Sequence, residues 1–287
     1  SDPKTAMLPT IIHRDGSSSS SLGYFAKKEL MFWTDDKYGA IWRMRRDGSD
    51  MVMVLEDLES PVGLAVDWVA EHLYWTDNNT NVIEVCKIDG SLRKVIISEG
   101  LSQPLAIDIS PREGLLFWTD TSHKITKIEK SHLDGSGRKP LYETLKTISS
   151  ITIDFVQGHL YFAITNPTYE EGIIRLDYNA PLQAAPDLIV RNDPAHLINP
   201  LSLAFHEDKL WWSEMRENSS SIQSYDMITK RFNILREDLD GKVNIKIMSS
   251  DLQPEDHANG CEVARSPCEE LCLYVGQVTC QCSSRRI

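Results

Sequence analysis

No run of this chain approaches the roughly 20 apolar residues that a helical membrane span needs. Basic residues are too few to balance the acidic ones. There are 30 lysines and arginines against 42 aspartates and glutamates, a formal net charge of −12. A nucleic-acid binder needs a basic stripe to neutralise phosphates, so nucleic acid is not an expected partner. Adhesion to anionic lipid is disfavoured for the same reason. The eight histidines are scattered, with no H-x-x-x-H and no Cys/His pair at ligand spacing. No metal and no cofactor are therefore expected. No nucleophile, base and orienter are grouped by motif, which argues against an enzyme. Amphipathic stretches of roughly 10–15 residues, which a helical array would show, are missing between residues 30 and 250. Cysteine is scarce before residue 260, where Cys86 stands alone.

What is present is uneven. Cys261, Cys268, Cys272, Cys280 and Cys282 crowd together near the C-terminus. That density reads as a disulfide knot and an oxidising compartment. N-x-S/T sequons at Asn78 and Asn218 make these two residues candidate glycosylation sites and agree with secretion. The polar opening "SDPKTAM" reads as a tag or flexible start, assigned to residues 1–9 and left out of the fold reasoning. A length of 287 residues with 41% hydrophobic content suits one large soluble domain plus a small module.

The chain repeats itself. "FWTD" stands at Phe32–Asp35, "YWTD" at Tyr74–Asp77 and "FWTD" at Phe117–Asp120, with weaker copies "YFAI" at Tyr161–Ile164 and "WWSE" at Trp211–Glu214. Their second residues, Trp33, Trp75, Trp118, Phe162 and Trp212, are 42, 43, 44 and 50 positions apart. "PVGLAVDW" and "PLAIDIS" precede the motif in phase, and "RRDGS", "KIDGS" and "HLDGS" follow it. Such periods point to a repeat architecture. One unit reads as four strands: Val62–Trp68, Leu73–Thr76, Asn81–Ile88 and Lys94–Ser98. Asp89-Gly90 supplies the turn, because Asp and Gly tolerate the positive φ of a tight hairpin. Four strands in about 43 residues is the signature of a propeller blade.

With "LYWTD" between "P-x-G-L-A-V-D-W" and "I-E-V-x-x-I-D-G-S-x-R-K-V", the chain resembles the low-density lipoprotein receptor family and its YWTD repeat. The resemblance implies an all-β fold, a six-bladed YWTD β-propeller over residues 10–254. A small disulfide-bonded EGF-like module over 255–287 would follow it. The sixth blade would be the N-terminal unit "TIIHRDG" (Thr10–Gly16), and "VNIKIMSSDLQP" (Val243–Pro254) would be the final strand that returns to the first blade. Only a serine run, Ser17–Ser21, occupies the interval where a blade's fourth strand is expected. The EGF-like pattern implies Cys261–Cys272 and Cys268–Cys280. Cys282 would then pair beyond Ile287, so the module is expected to be truncated. "DHANG" before Cys261 lacks the family's calcium signature.

The family also assigns roles. Asp35, Asp77 and Asp120 could form a ring of carboxylates. The structural reading is preferred: they latch backbone of a neighbouring blade, while Trp75 and Trp118 pack between sheets. Ile164 and Glu214 replace the Asp in two blades, where the latch should be lost or altered. Cys86 stands where a small apolar residue is usual and reads as a buried free thiol. Family ligands dock on the loops after the motif, which makes Asp36, Lys37, Tyr38, Asn81, Thr121, His123, Met215 and Arg216 ligand-face candidates. Propellers that read Asn-x-Ile motifs carry aromatics where this chain has Thr121 and Met215, and often Arg where it has Leu105. The Wnt-type pattern is not kept. His72, His159 and His206 sit near the start of the motif strand in three blades and are candidates for a pH switch.

The function implied is a non-catalytic protein-binding module of a receptor, endocytic or Wnt-type, with possible pH-dependent release. Expected partners are an extracellular protein ligand or a neighbouring module of the same receptor, and a folding chaperone of the secretory pathway. The parent protein would be membrane-anchored outside this stretch, on the extracellular side of the plasma membrane or in the endosome lumen. The alternative is a propeller scaffold in a secreted matrix protein or growth-factor precursor.

Overall fold

A computed structural model describes residues 19–165, 172–181, 185–191, 197, 199–216, 219–254, 271–274 and 278–281. Its strands fall into four-stranded antiparallel sheets, each in chain order. The first sheet holds β1 (Ser19–Phe25), β2 (Leu30–Asp35), β3 (Ala40–Arg45) and β4 (Val52–Leu55). The second holds β5 (Pro61–Asp67), β6 (His72–Asp77), β7 (Val82–Lys87) and β8 (Lys94–Ile97). The third holds β9 (Pro104–Ser110), β10 (Leu115–Ser122), β11 (Ile125–His132) and β12 (Lys139–Thr144). The fourth holds β13 (Thr147–Asp154), β14 (His159–Thr165), β15 (Gly172–Asp177) and β16 (Asp187–Arg191). The fifth holds β17 (Pro200–His206), β18 (Lys209–Arg216), β19 (Ser219–Asp226) and β20 (Arg231–Asp240). Two short 3-10 turns, Ala26–Lys28 and Ser250–Leu252, are the helical pieces among the described residues.

Each sheet is a propeller blade, and the motif strand is always second from the inside. Its two aromatic rings serve different interfaces, because successive side chains of a strand point to opposite faces. Trp75 packs with Phe32, Ile41 and Leu64 toward the first blade. Tyr74 packs with Ile107, Leu116 and Trp118 toward the third. Phe117 and Phe162 join the core between the third and fourth blades, and Tyr161 and Trp212 that between the fourth and fifth. The aromatic pair thus joins three blades, which explains its recurrence once per unit. Cys86 is buried in the first of these cores with its thiol free. Burial pushes its pKa far up, so it acts as a small hydrophobe.

The blade count differs from the expectation. Five four-stranded sheets, not six, are present among the described residues. The expected N-terminal unit at 10–16 lies outside the described residues. Ser19–Ser21 are not a gap in a blade but the start of β1, an innermost strand. The segment expected to close the ring carries no strand from Val243 to Ser249. It pairs with no described strand, and a ladder is what defines one. It still sits in phase with the innermost strands. Leu64 N donates to Ser21 Oγ at 3.2 Å, Leu203 N to Ser150 Oγ at 3.0 Å, and Ile245 N to Ser202 Oγ at 3.2 Å. Met248 then packs on the first blade beside Trp33 and Trp42, and the side chain of Gln253 bonds Ala26 N and Tyr24 O. The segment therefore spans from the fifth blade to the first.

Beyond it, β21 (Leu271–Tyr274) and β22 (Val278–Gln281) form a two-stranded hairpin with Cys272 opposite Cys280. Leu271 and Leu273 are buried in the core shared by the second and third blades. Cys272 is disulfide-bonded. Cys261, Cys268 and Cys282 lie outside the described residues, so both expected pairings and the extent of the module do as well.

Candidate functional site

The motif carboxylates are structural in their contacts. Asp77 Oδ2 accepts from Glu59 N and Ser60 N, both at 3.1 Å, in the connection that enters its blade from the preceding one. Its Oδ1 accepts from Asn79 N and Thr80 N, shaping the turn that follows. Asp120 Oδ1 accepts from Ser102 N and Gln103 N at 2.9 and 2.8 Å in the same way. Asp35 accepts from Tyr38 N at 3.2 Å, and its other oxygen is buried without a partner. None of these bonds joins one motif carboxylate to another. Glu214, at the corresponding place in the fifth blade, is fully buried. It accepts from Arg216 Nε and Gln223 Nε2, both at 2.8 Å, within its own blade.

Two repeated devices were not singled out from the sequence. The hydroxyl residue of the motif is a clasp. Thr34 Oγ1 donates to Val62 O at 2.8 Å, Thr76 Oγ1 to Leu105 O at 2.6 Å, and Ser213 Oγ to Val243 O at 2.5 Å, each across to the next inner segment. Arg93 forks onto Glu84 at 2.7 and 2.6 Å and lies 5.5 Å from the Trp75 ring centroid. Arg138 repeats this on Glu129 and Trp118, 5.4 Å from that ring. The signal was available as Thr in "WTD" and as Arg three or so residues after "DG". It was hidden because neither residue is informative until the strands are in register.

The turns after the motif sit at one end of the blades. Asp36, Lys37 and Tyr38 are exposed, Tyr38 at 53%, with Lys37 Nζ 5.8 Å from the Tyr38 ring. His123 and Lys124 form the exposed β10–β11 turn with φ of 52° and 107°. Other candidates are tied into the frame. Asn81 has φ 56°, and its side-chain amide donates to Ser102 O and Asn78 O. Thr121 shares a hydroxyl contact of 3.1 Å with Thr126. Arg216 is held by Glu214. Met215 lines a cavity of about 380 Å³ with Thr165, Asn199 and Leu201. Asn78 is half-buried in its turn, and Asn218 lies outside the described residues.

The histidines lie at the other end. His72 and His159 begin the motif strand, and His206 ends β17. His72 is buried, with Nδ1 unpartnered, and burial lowers its pKa to about 4. His159 is half-buried, its Nδ1 also unpartnered. The side chains of His206, Glu207 and Asp251 bring ligand atoms within 4.8 Å of one another, two of the three being exposed. None of the three histidines adjoins the turns that carry Tyr38 and His123.

Comparison with known proteins bears on this geometry. Residues 71–109 match the family described as low-density lipoprotein receptor repeat class B. Low-density lipoprotein receptor-related protein 5 of Mus musculus is 37% identical over 114 residues, 39% of this chain and 7% of that protein. The vitellogenin receptor Yl of Drosophila melanogaster is 27% identical over 277 residues, 93% of this chain and 13% of that protein. A human low-density lipoprotein receptor-related protein 5-like protein is 33% identical over 134 residues, 46% of this chain and 53% of that protein. A solved chain from a nidogen/laminin complex superposes with TM-score 0.68 at 25% identity, covering 79% of this chain and 81% of that one. These likenesses support a YWTD propeller like those of the low-density lipoprotein receptor family.

A gluconolactonase of Xanthomonas campestris superposes with TM-score 0.62 at 16% identity, covering 78% of this chain and 76% of that one. That likeness shows the propeller fold alone. The YWTD chain spans between 7% and 53% of the length of the three relatives above. No helix among its described residues is long and apolar enough to cross a membrane.

Proposed function

We propose that this propeller is a non-catalytic, extracellular protein-binding module of a receptor related to the low-density lipoprotein receptor. One observation carries the reading. The repeated side chains are consumed in holding blades together, while the turns beyond Asp35 and Asp120 present unlike, exposed side chains from a rigid frame. Protein ligands, or a neighbouring module of the same receptor, would dock on Asp36, Lys37, Tyr38 and His123. The receptor names of the relatives support this. Membrane anchoring would lie outside this stretch, and assembly would call on a secretory-pathway chaperone.

A second reading, the scaffold of a secreted matrix protein, is favoured by the likeness to the nidogen/laminin chain. Acid-dependent release would act through the end of the blades that holds His72, His159 and His206, not through the turn face. The test is capture of extracellular partners at neutral and at endosomal pH, with Tyr38→Ala and Asp36→Ala beside the unaltered chain. A partner lost on these substitutions supports the turn face. A partner held equally by all three proteins sinks it.

A further inference from the structure

The segment that joins the ends of the propeller meets blade five again at the end away from the motif turns. Its 3-10 turn, Ser250–Leu252, carries Asp251, whose N–H donates to Ser249 Oγ at 3.3 Å. Blade five brings His206, the last residue of β17, and Glu207, the first residue of the turn into β18. The ligand atoms of these three side chains all lie within 4.8 Å of one another.

The group differs from a chance set of surface acids. Its donors are mixed, one imidazole and two carboxylates. They converge without bonding each other: His206 Nε2 stands 4.0 Å from Glu207 Oε1, beyond hydrogen-bond reach. The His206 side chain is 20% exposed and that of Glu207 72%. Among the described residues neither carboxylate is paired with a lysine or arginine, and the Lys209 ammonium is turned to Asp226 instead. Two carboxylates and an imidazole therefore share one space with no cation of the chain's own. Atoms no more than 4.8 Å apart leave a point within about 2.8 Å of all three, against roughly 2.0–2.2 Å from zinc to such donors. Small rotations of the two exposed carboxylates close that difference.

The backbone on both sides is already fixed. Glu207 and Asp208 take φ of 48° and 57°, the left-handed pair of a tight hairpin turn. Asp251 lies between two anchors of its segment. Ile245 N donates to Ser202 Oγ at 3.2 Å, and Gln253 Oε1 accepts from Ala26 N at 2.7 Å.

We propose that His206, Glu207 and Asp251 bind a zinc ion that fastens the closing segment to blade five. Water would complete the tetrahedron around three protein ligands. Imidazole beside carboxylate suits zinc, whereas calcium takes oxygen ligands alone, roughly six to eight of them. The ion would supply what this segment lacks. No strand ladder holds it from Val243 to Ser249, so a bridge at Asp251 would tie it where hydrogen bonds are sparse. The zinc bridge is independent of the docking face, which lies at the other end of the blades.

The test is calorimetric titration of the whole chain, first stripped with a chelator, using zinc chloride as the probe. The variants are His206→Gln and Asp251→Asn, whose metal-free melting curves should match that of the unaltered chain. One zinc per chain is expected at about micromolar Kd, weakened at least tenfold by either substitution. Zinc at a hundredfold excess over Kd should raise Tm by about 5 °C in the unaltered chain and in neither variant. It should also slow hydrogen exchange in Val243–Gln253. The proposal is overturned if no zinc binds, if all three proteins bind it equally, or if calcium displaces it at equal concentration. Binding that leaves exchange in Val243–Gln253 unchanged overturns the bridge as well.

Discussion

Both oxygens of Asp77 accept backbone N–H groups, four in all, and the residue is buried. Asp77→Ala removes the acceptor and strands those donors, at about 3 kcal/mol or more. Secretion of the variant should fall sharply; normal secretion would overturn the structural role. Asp35, with one such bond, should tolerate replacement by Asn far better. Asp67 and His72 face each other across β5 and β6 and respond to pH in opposite senses. Burial raises Asp67 from 3.8 to about 6. Its folded form binds the proton more tightly than the unfolded chain, so its contribution is fully present below pH 3.8 and is lost as pH rises through 6. Asp67→Asn should therefore gain on the unaltered chain as pH rises from 4 to 7, by on the order of 3 kcal/mol. His72, lowered from 6.5 to about 4, contributes stability above pH 6.5 that is lost as pH falls through 4. His72→Gln should shrink the fall in Tm between neutral and acid pH. Melting curves across that range read both effects.

The Asp-Gly turns are contacts between blades as well as hairpins. Gly90 has φ +84°, and a Cβ there would meet Val54 O at 2.3 Å. Gly135 repeats the arrangement, with φ +84° and Ile96 O at 2.5 Å. Gly90→Ala should cost about 2 kcal/mol or more, since backbone must shift as well as strain. Denaturant titration checks it. The Trp75–Glu84–Arg93 stack spans β6, β7 and the approach to β8. Glu84 is 6% and Arg93 22% exposed at the side chain. Arg93→Met leaves a nearly buried carboxylate unpaired and should destabilise by roughly 2–4 kcal/mol. Arg93→Met combined with Glu84→Gln should lose less than the single change, a coupling that a double-mutant cycle measures. The turns and aromatic strands were legible in the sequence because each recurs at a fixed offset. The clasp and the stack were not, because their partners are remote until the sheets pair.

Across the molecule, the ends of the propeller meet through one stretch. Gln253 offers its amide to Tyr24 O and its carbonyl to Ala26 N, while Met248 rests on the first blade. Gln253→Glu replaces a donor by a carboxylate facing a carbonyl and should cost about 1–2 kcal/mol. Hydrogen exchange should quicken first in Val243–Gln253 and β1; uniform exchange across all five blades would contradict this. Leu271 and Leu273 seat the C-terminal hairpin on the second and third blades.

The sequence by itself determined the repeat, the four-strand unit and the family resemblance, because a blade cannot bury its faces alone and must repeat its packing residues in phase. It also located the turn face, since Asp36–Tyr38 and His123 follow the motif directly. Tertiary structure decided the rest. Among the described residues it showed five four-stranded sheets where six blades were expected, and no strand from Val243 to Ser249, because a strand exists only with its ladder partner. It placed the three histidines at the end away from the turns. It buried Gln223 against Glu214, a pairing that no local pattern in "SSSIQSYD" reveals.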